Sequence, residues 1–154
     1  MIVYRLCKSI YKDDLSGKGA ELSGGRWNNK GRPMLYTSSS RALSTTEVAV
    51  HLPLGIVPAD YYMITLQLPE KAPVFEVMLE NLPVYWKNFS ALPFTRKLGD
   101  DFLQANTALI LKTPSAVVQG DHNYLVNPMH KDAKKIKTLS IEPFEFDERL
   151  FNRD

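Results

Sequence analysis

The chain has 154 residues, 44% of them hydrophobic, enough to bury a core within one expected unit spanning residues 1–154. Nineteen Lys and Arg against seventeen Asp and Glu leave a formal charge of +2, which argues against binding nucleic acid or a membrane surface through bulk charge. One cysteine, Cys7, and three scattered histidines exclude an internal disulfide and offer no cluster at metal-ligand spacing, so a reduced domain without metal is expected.

Residues 2–6 form a short β-rich run. Its apolar character breaks at Arg5 and Lys8, and nowhere does the chain reach the roughly 20 apolar residues that span a bilayer, which makes the cytoplasm the expected compartment. Residues 12–32 are polar and punctuated by Gly17, Gly19, Gly24, Gly25 and Gly31, too long a stretch for plain linkage. Residues 34–37 read as a second strand. Ser38, Ser39 and Ser40 then offer N-caps for a helix to about His51, with Pro53 beyond its end. On that helix Leu43, Glu47, Val50 and Leu54 fall on one stripe, placing an acid among apolar side chains.

Tyr62, Ile64, Leu66 and Leu68 alternate with Met63, Thr65 and Gln67 at the period of a strand, closed by Pro69. Thr95, Leu98, Phe102 and Ala105 mark a second amphipathic helix. Residues 108–111 and 115–118 read as strand pieces divided by Pro114, residues 123–127 as a further apolar-rich piece and residues 138–141 as a late strand. Phe144, Phe146 and Leu150 are spaced to fold the tail back onto the body. Strands outnumber helices without regular βαβ alternation, so the expected class is α+β, a mixed β-sheet core with flanking helices.

Few residues could carry chemistry. Gly24-Gly25-Arg26-Trp27-Asn28 is rich in donors, and Arg26 could grip a phosphate or pyrophosphate with its planar fork; as a bare pattern, without Walker-type or dinucleotide spacing, it reads first as a surface loop anchored by Trp27. Glu47 is more informative, because a carboxylate on the inner side of a helix is costly unless paired or used. Its structural alternative is an ion pair, with Arg26 as one candidate. Its chemical use would be to stabilise an oxocarbenium-like ribosyl transition state, for which a lone carboxylate suffices when the leaving group, such as nicotinamide, needs no proton. Tyr36 could turn its ring into the same cavity, and Ser115 could bond a substrate hydroxyl or simply satisfy a turn. No His or Lys is spaced to activate Ser115 as a nucleophile. Asn127 and His130 read as structural.

In order along the chain stand Tyr4-Arg5-Leu6, Gly17-Lys18-Gly19-Ala20, Gly24-Gly25-Arg26-Trp27-Asn28, Met34-Leu35-Tyr36-Thr37, and Ala42-Leu43 with Glu47. Pro114-Ser115-Ala116-Val117-Val118, Asn123-Tyr124-Leu125-Val126-Asn127-Pro128 with His130, and Phe146-Asp147-Glu148-Arg149-Leu150 complete the series. This series resembles the RES domain, a family named for an Arg, a Glu and a Ser in its pocket. The resemblance implies an ADP-ribosyltransferase-like fold around an NAD cleft. It also implies the role of toxin to an Xre-type antitoxin in a type II toxin-antitoxin pair. The implied reaction is cleavage of the nicotinamide-ribose bond of NAD+, by hydrolysis or by phosphorolysis with inorganic phosphate as co-substrate. NAD+ would be substrate and not cofactor.

By position the name-giving residues match Arg26, Glu47 and Ser115, the expected catalytic set, and the pocket tyrosine matches Tyr36. Trp27, Asn28 and Asn123 join Tyr36 as expected substrate contacts. Arg26 and nearby backbone N–H groups would hold the pyrophosphate, Tyr36 would pack on nicotinamide, and Ser115 would position ribose or phosphate. The sequence departs from the family pattern at Thr45 and Thr46, where small apolar residues are expected, and at Lys131 in place of proline. The alternatives are an ADP-ribosyltransferase acting on a protein and a non-enzymatic interaction module. A ribonuclease lacks support, with no basic patch and no suitable His pair.

Overall fold

The structure, a computed structural model, describes residues 1–152. Its strands are β1 (Ile2–Lys8), β2 (Leu35–Ser38), β3 (Tyr61–Gln67), β4 (Val74–Glu76), β5 (Ile110–Pro114), β6 (His122–Val126) and β7 (Lys137–Phe144); its α-helices are α1 (Lys18–Ser23), α2 (Arg41–Ala49) and α3 (Leu92–Ala105). The strands form one sheet in the order β4-β5-β6-β2-β1-β3-β7. Only the β4–β5 pair is parallel. The expected α+β class with a mixed sheet is therefore the observed one.

Strand alternation gives the sheet two different faces. Tyr36 and Ser38 of β2 stand opposite Leu125 and Asn123 of β6, and these four share the side that opens to a cleft. Leu35 and Val126, on the other side, join Val3, Ile64, Leu66, Leu68, Leu109 and Ile110 in a dry cluster. Beyond the cleft, Trp27, Met34, Trp86, Phe102, Leu111 and Leu125 build a second cluster around α3. Among the described residues no helix is long and apolar enough to cross a membrane.

Four expectations change. The glycine-rich stretch contains α1, which Gly17 enters with a φ of 74°. β4 was not foreseen, because its three residues are all exposed and show no period. Residues 115–118 are not strand: β5 runs through Pro114, opposite His122, and Ser115 then caps a turn with its Oγ accepting from the backbone N–H groups of Val117 (3.1 Å) and Val118 (2.9 Å). Finally α2 ends at Ala49, so the apolar stripe stops early and Val50 and Leu54 are exposed. The tail does fold back, but through Phe146 and Phe151, which stack edge to face, while Leu150 is exposed.

The feature that places the cleft wall is the contact of α3 with three successive carbonyls. Arg96 Nε donates to Gly25 O (2.8 Å) and Thr95 Oγ1 to Arg26 O (2.7 Å), while Gly99 lies so close to Trp27 that a Cβ there would stand 1.6 Å from its carbonyl oxygen. Alanine ordinarily favours a helix over glycine, yet here it has no room. Gly99→Ala should lower stability by about 1–3 kcal/mol, seen as a reduced urea midpoint at unchanged slope, and an equal or higher midpoint would remove this contact from the account. Phe151→Ala, a truncation of a side chain only 2% exposed, should cost about 3–5 kcal/mol in thermal or chemical denaturation; an unchanged melting temperature would mean the tail is not docked.

Candidate functional site

The cleft encloses about 730 Å³, within the range of small-molecule sites. Its floor is the β2–β6 pair, one wall is α2 and the opposite wall is the loop containing Gly25 and Arg26. Ser40 caps α2 by accepting from the Leu43 N–H (3.0 Å), which starts the helix directly after β2 and turns Ser44, Glu47 and Val48 toward the cleft. Thr45 and Thr46 donate their hydroxyls back to the carbonyls of Arg41 and Ala42, so these departures from the family pattern are satisfied within the helix.

Glu47 is the centre of the site. Its Oε1 accepts from Ser115 Oγ (2.7 Å) and from Asn123 Nδ2 (2.6 Å). The ion pair with Arg26 weighed from sequence does not form; the direct partners of the carboxylate are neutral, and among the described residues none donates to Oε2. Ser38, directly opposite Asn123 in the β2–β6 register, donates to Asn123 Oδ1 (2.7 Å). That bond holds the amide with its nitrogen toward Glu47. Sequence reading missed Ser38 because its significance rests on a partner 85 residues away.

Arg26 is half-buried and sits over the Trp86 ring at 5.8 Å. Its Nη1 donates to Trp86 O (3.1 Å) and its Nη2 to Lys87 O (3.0 Å). Burial pushes its pKa down, opposed by the negative charge of Glu47 and then by Tyr36, so the two name-giving residues act on each other across the cleft without touching. Tyr36 lines the cleft with its hydroxyl turned away, donating to Asn28 Oδ1 (2.7 Å) and accepting from the Trp27 N–H (3.0 Å). Burial drives the phenol pKa far above its ordinary value, and the ring stays neutral. Gly25 is required above it, since a Cβ would lie 2.5 Å from that hydroxyl.

Of three further expected contacts, Asn28 and Ser115 are corrected by this geometry and Trp27 is not. Asn28 is fully buried, and its Nδ2 donates to the carbonyls of Ala20, Asn29 and Arg32, so it holds the loop together instead of meeting a ligand. Trp27 lines the cleft as expected of a substrate contact, while its ring packs on Trp86 and its N–H is taken by Tyr36. Ser115, 2% exposed, is fully engaged by Glu47 and its own turn, which makes it a holder of the carboxylate and not a substrate contact. Asn127 and His130 are structural as expected, the one bonded to Asn106 and the Met129 N–H, the other accepting from the Asp132 N–H. Arg5, in the first motif of the series, pins the carbonyls of Tyr11 and Asp14.

The chain as a whole is similar to known proteins. The family model of the RES domain matches residues 2–147. A protein of Pseudomonas putida named Toxin Res is 38% identical over 154 residues, covering 98% of this chain and all of its own length. The Prs ADP-ribosylating toxin of a Sphingobium species is 36% identical, covering 92% of this chain and 89% of its own. In fold, the chain is similar to a chain of the Mycobacterium tuberculosis MbcT–MbcA toxin-antitoxin complex, with a TM-score of 0.74 at 17% identity, covering 97% of this chain and 86% of that one. An ordered series of motifs, an Arg, a Glu and a Ser gathered at one cleft, and relatives matched over nearly their full length place this chain in the RES-domain family.

Proposed function

We propose that the protein is a toxin that cleaves the nicotinamide-ribose bond of NAD+ in the cytoplasm and is held in check by an antitoxin of the Xre type. The observation that carries the reading is Glu47: a carboxylate at a ligand-sized cleft, oriented by two neutral donors on one oxygen, with its other oxygen free of protein donors. Such a group is suited to stabilising positive charge that develops on a ribose.

In this mechanism the bond from ribose C1′ to the pyridinium nitrogen breaks, and its electron pair neutralises the ring nitrogen, so nicotinamide leaves without needing a proton. Glu47 stabilises the charge left on the sugar. Ser115 and Asn123 keep the carboxylate in place, Ser38 keeps Asn123 in place, and the Tyr36 ring offers a neutral stacking surface. An oxygen of inorganic phosphate, or of water with loss of a proton, then bonds to C1′. The guanidinium of Arg26, anchored on two carbonyls and facing a cleft that also holds Glu47, supplies positive charge for the diphosphate.

Glu47→Gln keeps the shape of the site and removes its charge. It should reduce turnover about 100- to 1000-fold, the usual effect of losing one preorganised electrostatic contact, with nicotinamide release as the readout. Normal turnover by the folded variant would end the role given to Glu47. Incubation of the purified protein with NAD+, with and without inorganic phosphate, should release nicotinamide and yield either ADP-ribose or its phosphorylated form; folded, antitoxin-free protein that leaves NAD+ intact would overturn the reading.

A second reading has specific support, because the Sphingobium relative is named Prs ADP-ribosylating toxin. The bond broken would be the same and the acceptor would be a protein side chain. Label carried from NAD+ onto protein distinguishes it from both soluble products.

A further inference from the structure

Beside the main cleft lies a smaller recess of about 320 Å³, lined by Ser23, Gly24, Asn29, Lys30 and Arg96. It opens off the cleft, since Ser23, Gly24 and Arg96 line both. Two of its five lining side chains are cationic and none is acidic. Arg96 stands at the junction, fixed by one bond from its Nε to Gly25 O (2.8 Å). Among the described residues no acceptor lies within bonding distance of its two Nη atoms, so the fork that suits an anionic oxygen pair is held in position and available. The nearest acid along α3, Asp100, directs its two oxygens to the backbone N–H and the Nδ2 of Asn29.

Backbone N–H groups of the loop are already engaged. The N–H groups of Gly24, Gly25 and Trp27 donate to Ala20 O, Asn28 O and the Tyr36 hydroxyl. Arg26 has one donor of each Nη on a carbonyl. An anionic group passing from cleft to recess therefore meets Arg96 and Lys30 as its freest donors.

We propose that this recess is a phosphate subsite, in which the Nη pair of Arg96 and the ammonium of Lys30 hold a phosphate group of the ligand that occupies the cleft. It rests on the NAD+ reading only for the identity of that ligand, whose diphosphate would be the group held; free inorganic phosphate carries the same chemistry. Arg96, absent from the motif series, would then set affinity for phosphorylated ligands while Glu47 acts on the ribose.

The test is a binding titration of ADP, adenosine and inorganic phosphate against the wild-type chain, Arg96→Gln and Lys30→Ala, with nicotinamide release from NAD+ measured in parallel. Lys30 is exposed, so its truncation leaves the fold intact even if Arg96→Gln disturbs the Gly25 contact. Wild type should bind ADP about tenfold or more tighter than adenosine, as expected for charge-assisted bonds to one phosphate group. Both variants should shrink that preference while leaving adenosine affinity unchanged. A loss confined to ADP assigns the recess to the dinucleotide's diphosphate, and a loss confined to inorganic phosphate assigns it to the free ion. Affinities for ADP and for inorganic phosphate that both survive the two substitutions, or equal affinity for ADP and adenosine with no measurable binding of inorganic phosphate, overturn the proposal. Since the preference is read without turnover, NAD+ cleavage with no dependence on Arg96 sinks the subsite alone, and an Arg96-dependent preference without cleavage sinks the NAD+ reading alone.

Discussion

One carboxylate oxygen accepts two hydrogen bonds, and the architecture around the cleft follows from keeping those bonds in place. Glu47 reaches the site from a helix that begins immediately after β2; its donors arrive from the turn after β5 and from β6. For the three to meet, β2 must pair with β6 in a register that sets Ser38 opposite Asn123, and β5 must pair with β6 to deliver Ser115 at its end. A shift of one residue would turn Asn123 to the dry face and bring Tyr124 to the cleft. The cluster of Leu35, Ile110 and Val126 on the far side makes that shift unfavourable, so packing behind the sheet enforces geometry in front of it.

The opposite wall is held on a different principle. Backbone carbonyls of consecutive residues point at α3, and the helix meets them with a guanidinium, a hydroxyl and a bare glycine. Each side chain satisfies a buried polar group that would otherwise be costly to leave unpaired. The loop is consequently a rigid part of the fold despite its glycines, and Arg26 is aimed by carbonyls on the segment before α3, those of Trp86 and Lys87. Charge at the site is thereby kept separated, positive on the loop and negative on the helix.

Much of this was readable in the sequence wherever one side chain's period reports its own environment. The alternation of residues 62–68 located β3, and the serine triplet located the start of α2 at Ser40. What escaped depended on partners far along the chain. β4 has no burial pattern and exists by pairing in parallel with β5. Ser38 looked like one of three equivalent caps, yet it faces Asn123, and Arg96, which no motif singles out, reaches Gly25 O. Residue type singled out Glu47 and Ser115, and only the fold revealed that the two are bonded to each other and that the serine's bonds are all internal.

The distances in sequence between these partners have a further consequence for how the protein comes into being. Arg26, Tyr36 and Glu47 all precede the residues that orient the carboxylate, and Glu47 itself stands 68 positions before Ser115 and 76 before Asn123. Contacts of such long range form late, once the intervening loops have closed. A chain emerging from the ribosome up to Pro114 carries the acid and the arginine but neither donor, and β2 still lacks its β6 neighbour. The cleft's carboxylate is thus oriented only after Asn123 has been made and β6 has paired with β2, and a polypeptide that stops short of that point has no assembled candidate site.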